Sequence, residues 1–591
     1  MAHLPEFSSA RELYYGRDPY LDAWVLHFMT ENNLEHTVDP KQNASPEQIR
    51  FMVVLDPDQV FAPCSDWMLK NLLNREMTEE LMTEYKRQWR FHARLLKDYI
   101  PDPYTRKRIV ALSRHKFSKV LSTPFLIPSR LNKHLTTIFL TQSGVEDPYR
   151  ERKVEANRRV GEFIEQKSLD RLLNACPDSS MGCSKIRDLR WELDLMELRR
   201  LFCLSTHQPI WEEESYQPQW KSLEEYVNAH LPELDRTLTE LLGPDASGQK
   251  RIMYLPDRSG GVIFDILIVR ALLRLGHRVV MALKEGFYFD APTFWDHEHD
   301  PVLSRALEGA YFLDDNAVSK NRLLRIQREN PLLVISDGTR ERLNFYRTSV
   351  TFARAWKESD LVITKGEGNY RRLIMTSHEF TRDVLCLFRD THKTLRFFFK
   401  PRSKRTFHFS EHQLLEKSDH IIRDMRRARE QGYKVMFYSA IISSIPGQTP
   451  EAIKLLNRFV EYLRARLEKT YIINPAEHFA EGLDGDDLMF MWERVQRSGL
   501  IDVWRFQSVA DIEKSYELLG EKVPPIWNGK DATFSTGCTK EMQIALEMQK
   551  LHRELQILGP SPEKFFRRRE YGVGKFFDAT IGDPVDRVRR F

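Results

Sequence analysis

Four short strings near the middle of this chain gather residue types that handle phosphate groups and hard cations. They are Asp257-Arg258-Ser259-Gly260-Gly261, Phe289-Asp290-Ala291-Pro292-Thr293, Ser336-Asp337-Gly338-Thr339 and Thr364-Lys365-Gly366-Glu367-Gly368-Asn369. Aspartate oxygens suit ions of the Mg²⁺ type. Glycine turns let backbone amides face an anion, and a helix N-terminus behind them adds favourable potential. Lys365 offers a mobile point charge, and the Asn369 amide both donates and accepts. Asp265 stands one turn after Gly261 on the next helix and faces roughly the same way. Two carboxylates converging from neighbouring strand ends are costly without a cation or proton between them, so Asp257 and Asp290 read as a metal pair.

Each string also has a plain structural reading. Asp, Ser and Gly are the expected residues of an ordinary turn after a strand, which accounts for Asp257 to Gly261 taken alone. The run Asp296-His297-Glu298-His299-Asp300 reads as a solvated loop. The Lys-Gly-Glu-Gly-Asn string is harder to reduce to a turn, because a turn requires no Lys, Glu and Asn around its glycines. It lacks the spacing of a Walker loop, so ATP binding of that kind is not implied.

What positions these strings is a rhythm of apolar runs and helices beginning at Arg251. RIMYLP, HRVVMALKE, PLLVIS, SDLVITK and KTLRFFFK read as strands, with GVIFDILIVRALLRLG as a helix between the first two. The pattern predicts a doubly wound, mostly parallel α/β sheet over residues 246–410, with ligands bound at the carboxyl ends of its strands. Residues 1–245 read as mainly helical. The runs 79–99 and 184–203 carry apolar stripes at helical spacing, and Trp191 and Trp211 read first as core. A further α/β unit covers 411–558, and 559–591 reads first as a charged arm packed across its own subunit, with Arg567, Arg568 and Arg569 as a protein-contact surface of a homo-oligomer the alternative. In the C-terminal unit, Ser439 to Gly447, Asp484 to Asp487 and Cys538 are weaker site candidates.

Composition narrows the function classes. With 89 basic and 85 acidic side chains the net charge is +4, which removes the main reason to expect nucleic-acid binding. No run is apolar over the length needed to span a bilayer. The start, MAHLPEFSSARELYY, has no signal-peptide pattern. Six scattered cysteines give no disulfide framework, and the close pair Cys176 and Cys183 lacks further zinc ligands, so the expectation is a cytoplasmic protein.

Residues 251 to about 400 resemble the catalytic domain of the metal-dependent damage-control phosphatases, long described as a domain of unknown function. That family's pattern runs Asp-Asn-x-Gly-Glu, a helical Asp, an Asn-Asp pair, Ser-Asn/Asp-Gly, then Asp-Leu-x-Ile-x-Lys-Gly-x-Gly-Asn. Here Asp360 to Asn369 match the last element almost letter for letter, Asp265 is the helical Asp, and Ser336-Asp337-Gly338 is the third element. The resemblance implies a helical N-terminal region before the sheet, and a divalent ion (Mg, Mn, Co or Ni) on Asp257, position 258 and Asp290. This chain departs from it with Arg258 and Phe289 in place of two asparagines, and with Gly261 in place of the glutamate.

The implied function is hydrolysis of a small phosphorylated metabolite, such as a sugar phosphate or a phosphopantetheine-like compound. Arg258 and Lys365 would neutralise charge, while Asp265 or Asp337 would orient water or the leaving group. Ser259, Gly260, Gly261, Gly366, Glu367, Gly368 and Asn369 would line the substrate. Two alternatives compete with it. One is a transferase or lyase on the same scaffold that binds an anion through Arg258 and Lys365; the other is a non-catalytic ligand-binding protein.

Overall fold

The structure is a computed structural model that describes residues 12–13, 16, 18–32, 34, 47–56, 59–175, 185–214, 216–246, 248–445, 447–480 and 482–567. Cys176, Cys183, Arg568 and Arg569 lie outside the described residues. The chain divides into two compact units, one running through Arg405 and the other from Thr406.

The first unit is built on seven strands: β1 (Arg251–Leu255), β2 (Arg278–Leu283), β3 (Tyr311–Leu313), β4 (Leu332–Ser336), β5 (Leu361–Lys365), β6 (Asp383–Arg389) and β7 (Leu395–Lys400). Their order is β3-β4-β2-β1-β5-β6-β7. All neighbours pair in parallel except β6 and β7. The interior strands read as unbroken apolar runs because both faces are covered. Along β1, Ile252 and Tyr254 join one core, and Met253 and Leu255 join the other.

The first of these cores also holds Phe163, Leu198 and Leu234, from the helices that precede the sheet. Two of those helices are α1 (Arg150–Ile164) and α2 (Ile186–Ser205), and the helix after β1 is α3 (Gly261–Arg274). Helix α3 is buried almost all round, with Val262, Phe264, Ile266 and Ile268 at 1% exposure or less. That explains why its sequence is apolar on every face rather than striped. The pattern change near residue 246 is therefore a change of secondary structure inside one core.

Five of the seven strands correspond to the apolar runs in the sequence. The other two, β3 and β6, are additions, and KTLRFFFK turns out to be the antiparallel edge, with Arg396 and Phe399 exposed. In the second unit four parallel strands, β8 (Lys434–Ser439), β9 (Thr470–Ile473), β10 (Val503–Phe506) and β11 (Gln556–Leu558), lie in the order β9-β8-β10-β11. Asp484 caps the helix Gly485–Gln496 by accepting from the Asp487 amide, so the acidic turn is a helix cap. Cys538 is buried, its Sγ donating to the Ala440 carbonyl, and burial pushes the thiols of Cys64, Cys203 and Cys386 up. Among the described residues no helix is long and apolar enough to cross a membrane.

A fragment of residues 246–405 should not fold by itself, because its core lacks Phe163, Leu198 and Leu234. Its circular dichroism and proton NMR spectra should be those of an unfolded or aggregated chain, and a dispersed spectrum would contradict the shared core.

Candidate active site

The carboxyl ends of β1, β2, β4 and β5 border a cavity of about 380 Å³. Asp257, Arg258, Asp290, Asp337, Glu367, Gly368 and Asn369 all reach it, so the four strings do converge at one edge of the sheet. The loops are tied to one another by backbone: the Ser259 amide donates to the Asp290 carbonyl at 2.7 Å.

Arg258 holds the centre of the edge. Its Nη1 donates to Glu212 Oε1 at 3.0 Å and lies 3.4 Å from Asp290 Oδ2, while its Nε lies 3.7 Å from Asp257 Oδ2. Burial would lower the Arg258 pKa, but Asp290, Asp257 and Glu212 together hold it raised. The Asp257 pKa is also raised, above that of an ordinary carboxyl. Removal from bulk water raises its pKa, Arg258 opposes that, and Asp290 adds to it. About 40% of its side chain still opens to the cavity, so the group can meet a ligand.

Two glycines make this arrangement sterically possible. Gly366 has φ 93, and a Cβ there would fall 2.5 Å from the Asp257 carboxylate. Gly260 has φ 82, and a Cβ there would fall 2.3 Å from Trp211 Cγ. Trp211 is core, as its sequence context indicates, and it is also the surface against which the Asp257 loop turns. The remaining string residues serve mainly as braces. Asn369 Nδ2 donates to Thr364 Oγ1 and to the Lys365 carbonyl, and Glu367 pairs with Arg371 at 2.6 Å.

Lys365 and Asp265 lie behind the site, not in the main cavity. Lys365 Nζ donates to Asp265 Oδ1 at 2.7 Å and to the Ser205 carbonyl at 2.6 Å, and Tyr254 Oη donates to the same Asp265 oxygen at 2.8 Å. Both partners are almost fully buried, with side-chain exposures of 4% and 0%. Burial raises the Asp265 pKa and Lys365 opposes the shift. Lys365 instead faces a separate space of about 100 Å³, on the other side of Asp257 and Arg258. Asp337 is buried too, and receives Lys284 Nζ at 2.6 Å.

Several site residues have no signal in the strings. Lys284 directly follows β2 and reads from sequence as part of the strand's end. Arg342 enters from the loop after β4, donating from Nε to Tyr288 Oη at 2.8 Å. Arg87, Phe91, Arg94, Asn132, Tyr149 and Arg152 reach the cavity from the helical region, as Glu212 reaches Arg258. No spacing rule ties residues so far apart in sequence to one site. Phe289 was visible only as a departure, and its backbone is unusual: φ is 50, a left-handed conformation that costs a non-glycine residue about 1–3 kcal/mol. His297 stacks on Phe312 and His299 lies away from the cavity.

Residues 60–396, more than half of the chain, match the model of the damage-control phosphatase ARMT1-like domain. The chain belongs to that family. Among solved structures, one similar chain is the crystal structure of a DUF89 family protein from Pyrococcus horikoshii, at 19% identity and a TM-score of 0.36, covering 53% of this chain and 91% of its own. No curated protein matches. Membership supports phosphatase-type chemistry on a small-molecule substrate, and the family is generally metal-dependent.

The donors present in this damage-control phosphatase relative do not fit a divalent cation as they stand. Asp257 and Asp290 are brought together as the strings imply, but the third ligand position holds a guanidinium, which cannot ligate a metal. That guanidinium lies within 3.7 Å of both carboxylates. Among the described residues no group of three or more His, Cys, Asp or Glu side chains is arranged to hold a metal ion.

Replacing Asp265 by Asn should strand the Lys365 ammonium in the core. Denaturant unfolding should show a loss of about 3–5 kcal/mol. A loss below about 1 kcal/mol would mean that the pair contributes little to holding β5 against α3.

Proposed function

We propose that this chain is a phosphatase-type enzyme acting on a small phosphorylated metabolite, with the Arg258 guanidinium in the position of the cation. The observation that carries the reading is the contact of Arg258 with Glu212, Asp290 and Asp257 at the mouth of the cavity. The cavity is lined by seven basic and five acidic side chains, an excess of positive charge that suits a phosphate dianion. Arg258 and Arg342 neutralise the equatorial oxygens, since planar guanidinium groups match phosphate in a bidentate way.

Asp257 is the proton-moving group. A carboxyl with a raised pKa keeps its proton to higher pH and can deliver it to the departing ester oxygen. The Asp290 carboxylate, at the same rim, orients the attacking water. Lys365 and Asp265 act from behind as a buried pair that fixes β5 and the Gly366 turn under Asp257. Asp337 holds Lys284 and the loop bearing Arg342.

The raised Asp257 pKa sets a sign. Its stabilising contribution is complete below the ordinary carboxyl range and is lost as pH rises through the folded value. Acid-form activity follows the same direction, so phosphate release should fall as pH rises through that value. Asp257→Asn should lower kcat by about 10²–10⁴-fold and remove this limb.

Phosphate release from a panel of sugar phosphates and phosphopantetheine-like esters, with chelator or with Mg²⁺, Mn²⁺, Co²⁺ or Ni²⁺, tests the reading. Release that persists in chelator supports it. Release that needs a metal would return the site to the family's generally metal-dependent chemistry. Calorimetric binding of phosphate without release from any ester would point to a ligand-binding protein.

A further inference from the structure

The wall of the cavity nearest Asp290 is aromatic rather than polar. Phe289 directly precedes Asp290, and its ring centroid lies 5.7 Å from Phe91, 5.9 Å from Tyr149 and 5.3 Å from Tyr288. All four rings line the cavity and all four are only partly buried. The Arg87 guanidinium stands over Phe91 at 5.7 Å, and that of Arg152 over Tyr149 at 5.3 Å. Ala291, Pro292 and Leu343 continue the apolar lining. The faces of these rings offer stacking contact that an aliphatic leaving group uses less well than a flat ring does.

We propose that the substrate is a phosphate monoester bearing a flat aromatic or heteroaromatic ring, joined to the ester oxygen directly or through one or two carbons. The inference rests on the phosphoryl site argued above and names the leaving group for it. Phe289, Asp290 and Asp257 line the same cavity, so a ring at Phe289 and a phosphate at the two carboxylates share one space. Ring faces attract one another in offset or edge-on arrangements, and guanidinium groups add to an aromatic wall. The volume lies within the range of about 300–1,000 Å³ that takes a compact ring and a phosphate.

The backbone at Phe289 supports a role for the ring. Its left-handed conformation suits Gly or Asn and opposes a bulky side chain, yet the chain carries Phe there. The ring packs against the apolar cluster that holds Leu95, Phe139 and Phe287, and it also lines the cavity, where a ligand ring can meet it. The backbone conformation supplies a clean variant, because Phe289→Asn removes the ring and relaxes the backbone together.

Calorimetry on the full chain with phenyl phosphate, benzyl phosphate, glycerol 3-phosphate and inorganic phosphate tests the proposal. The parent should bind the two aromatic esters about tenfold more tightly than glycerol 3-phosphate. Phe289→Asn and Phe91→Ala should each reduce that margin to about twofold, with inorganic phosphate bound as by the parent. Phe289→Asn should keep the parent's circular dichroism spectrum and a cooperative melt, which excludes misfolding as the cause. Equal affinities for aromatic and aliphatic esters, or a margin that survives Phe289→Asn, would overturn the aromatic leaving group while leaving the phosphoryl site standing. Failure to bind inorganic phosphate at all would remove the phosphoryl site, and this inference with it.

Discussion

One guanidinium among three carboxylates is the contact on which the site depends. Asp257, Asp290 and Glu212 arrive from two strand-end loops and a short helix, and without a positive charge between them they would repel. Arg258 supplies that charge from within the chain. A guanidinium is monovalent, planar and permanently protonated, so it fixes direction as well as charge. It carries half the charge of a divalent ion, and at Asp257 burial raises the pKa against the opposing pull of Arg258.

The surroundings of Arg258 are built to hold this edge still. Gly366 leaves room for Asp257, and Gly260 lets the loop close on Trp211. Arg159 on α1 donates to the carbonyls of Trp211 and Glu212, which anchors the helix end that meets Arg258. Behind the loop, Lys365, Asp265 and Tyr254 form a buried polar knot between sheet and helix. A buried pair of this kind is weak evidence for stability in itself, but removing one partner leaves an uncompensated charge. Membership of the damage-control phosphatase family therefore supports the scaffold and phosphatase-type chemistry, while in this chain the centre of the site is held by Arg258.

Much of this was legible from residue order. Strands buried on both faces give apolar runs, and their carboxyl-end loops gave the positions of Asp257, Asp290, Asp337 and Glu367. Strand β6 was missed because Val384 to Leu387 follow a stretch of Arg and Thr with no helix before them, and β3 because it is only three residues long. Lys365 was legible as special but not as buried: the string gives its neighbours in sequence, whereas Asp265 meets it across 100 residues. The arginines and aromatics of the helical region carried no signal, since helical periodicity reports which face is apolar and not what that face meets. Arg258 and Phe289 were visible as departures from the family pattern, and both lie at the points where the geometry of the site is decided.

The most direct measurement is anomalous diffraction at the manganese edge from crystals of the full chain soaked in Mn²⁺. The account predicts no anomalous peak between Asp257 and Asp290, with the Arg258 guanidinium in density at that position. A peak there, with Arg258 turned away from both carboxylates, would contradict it.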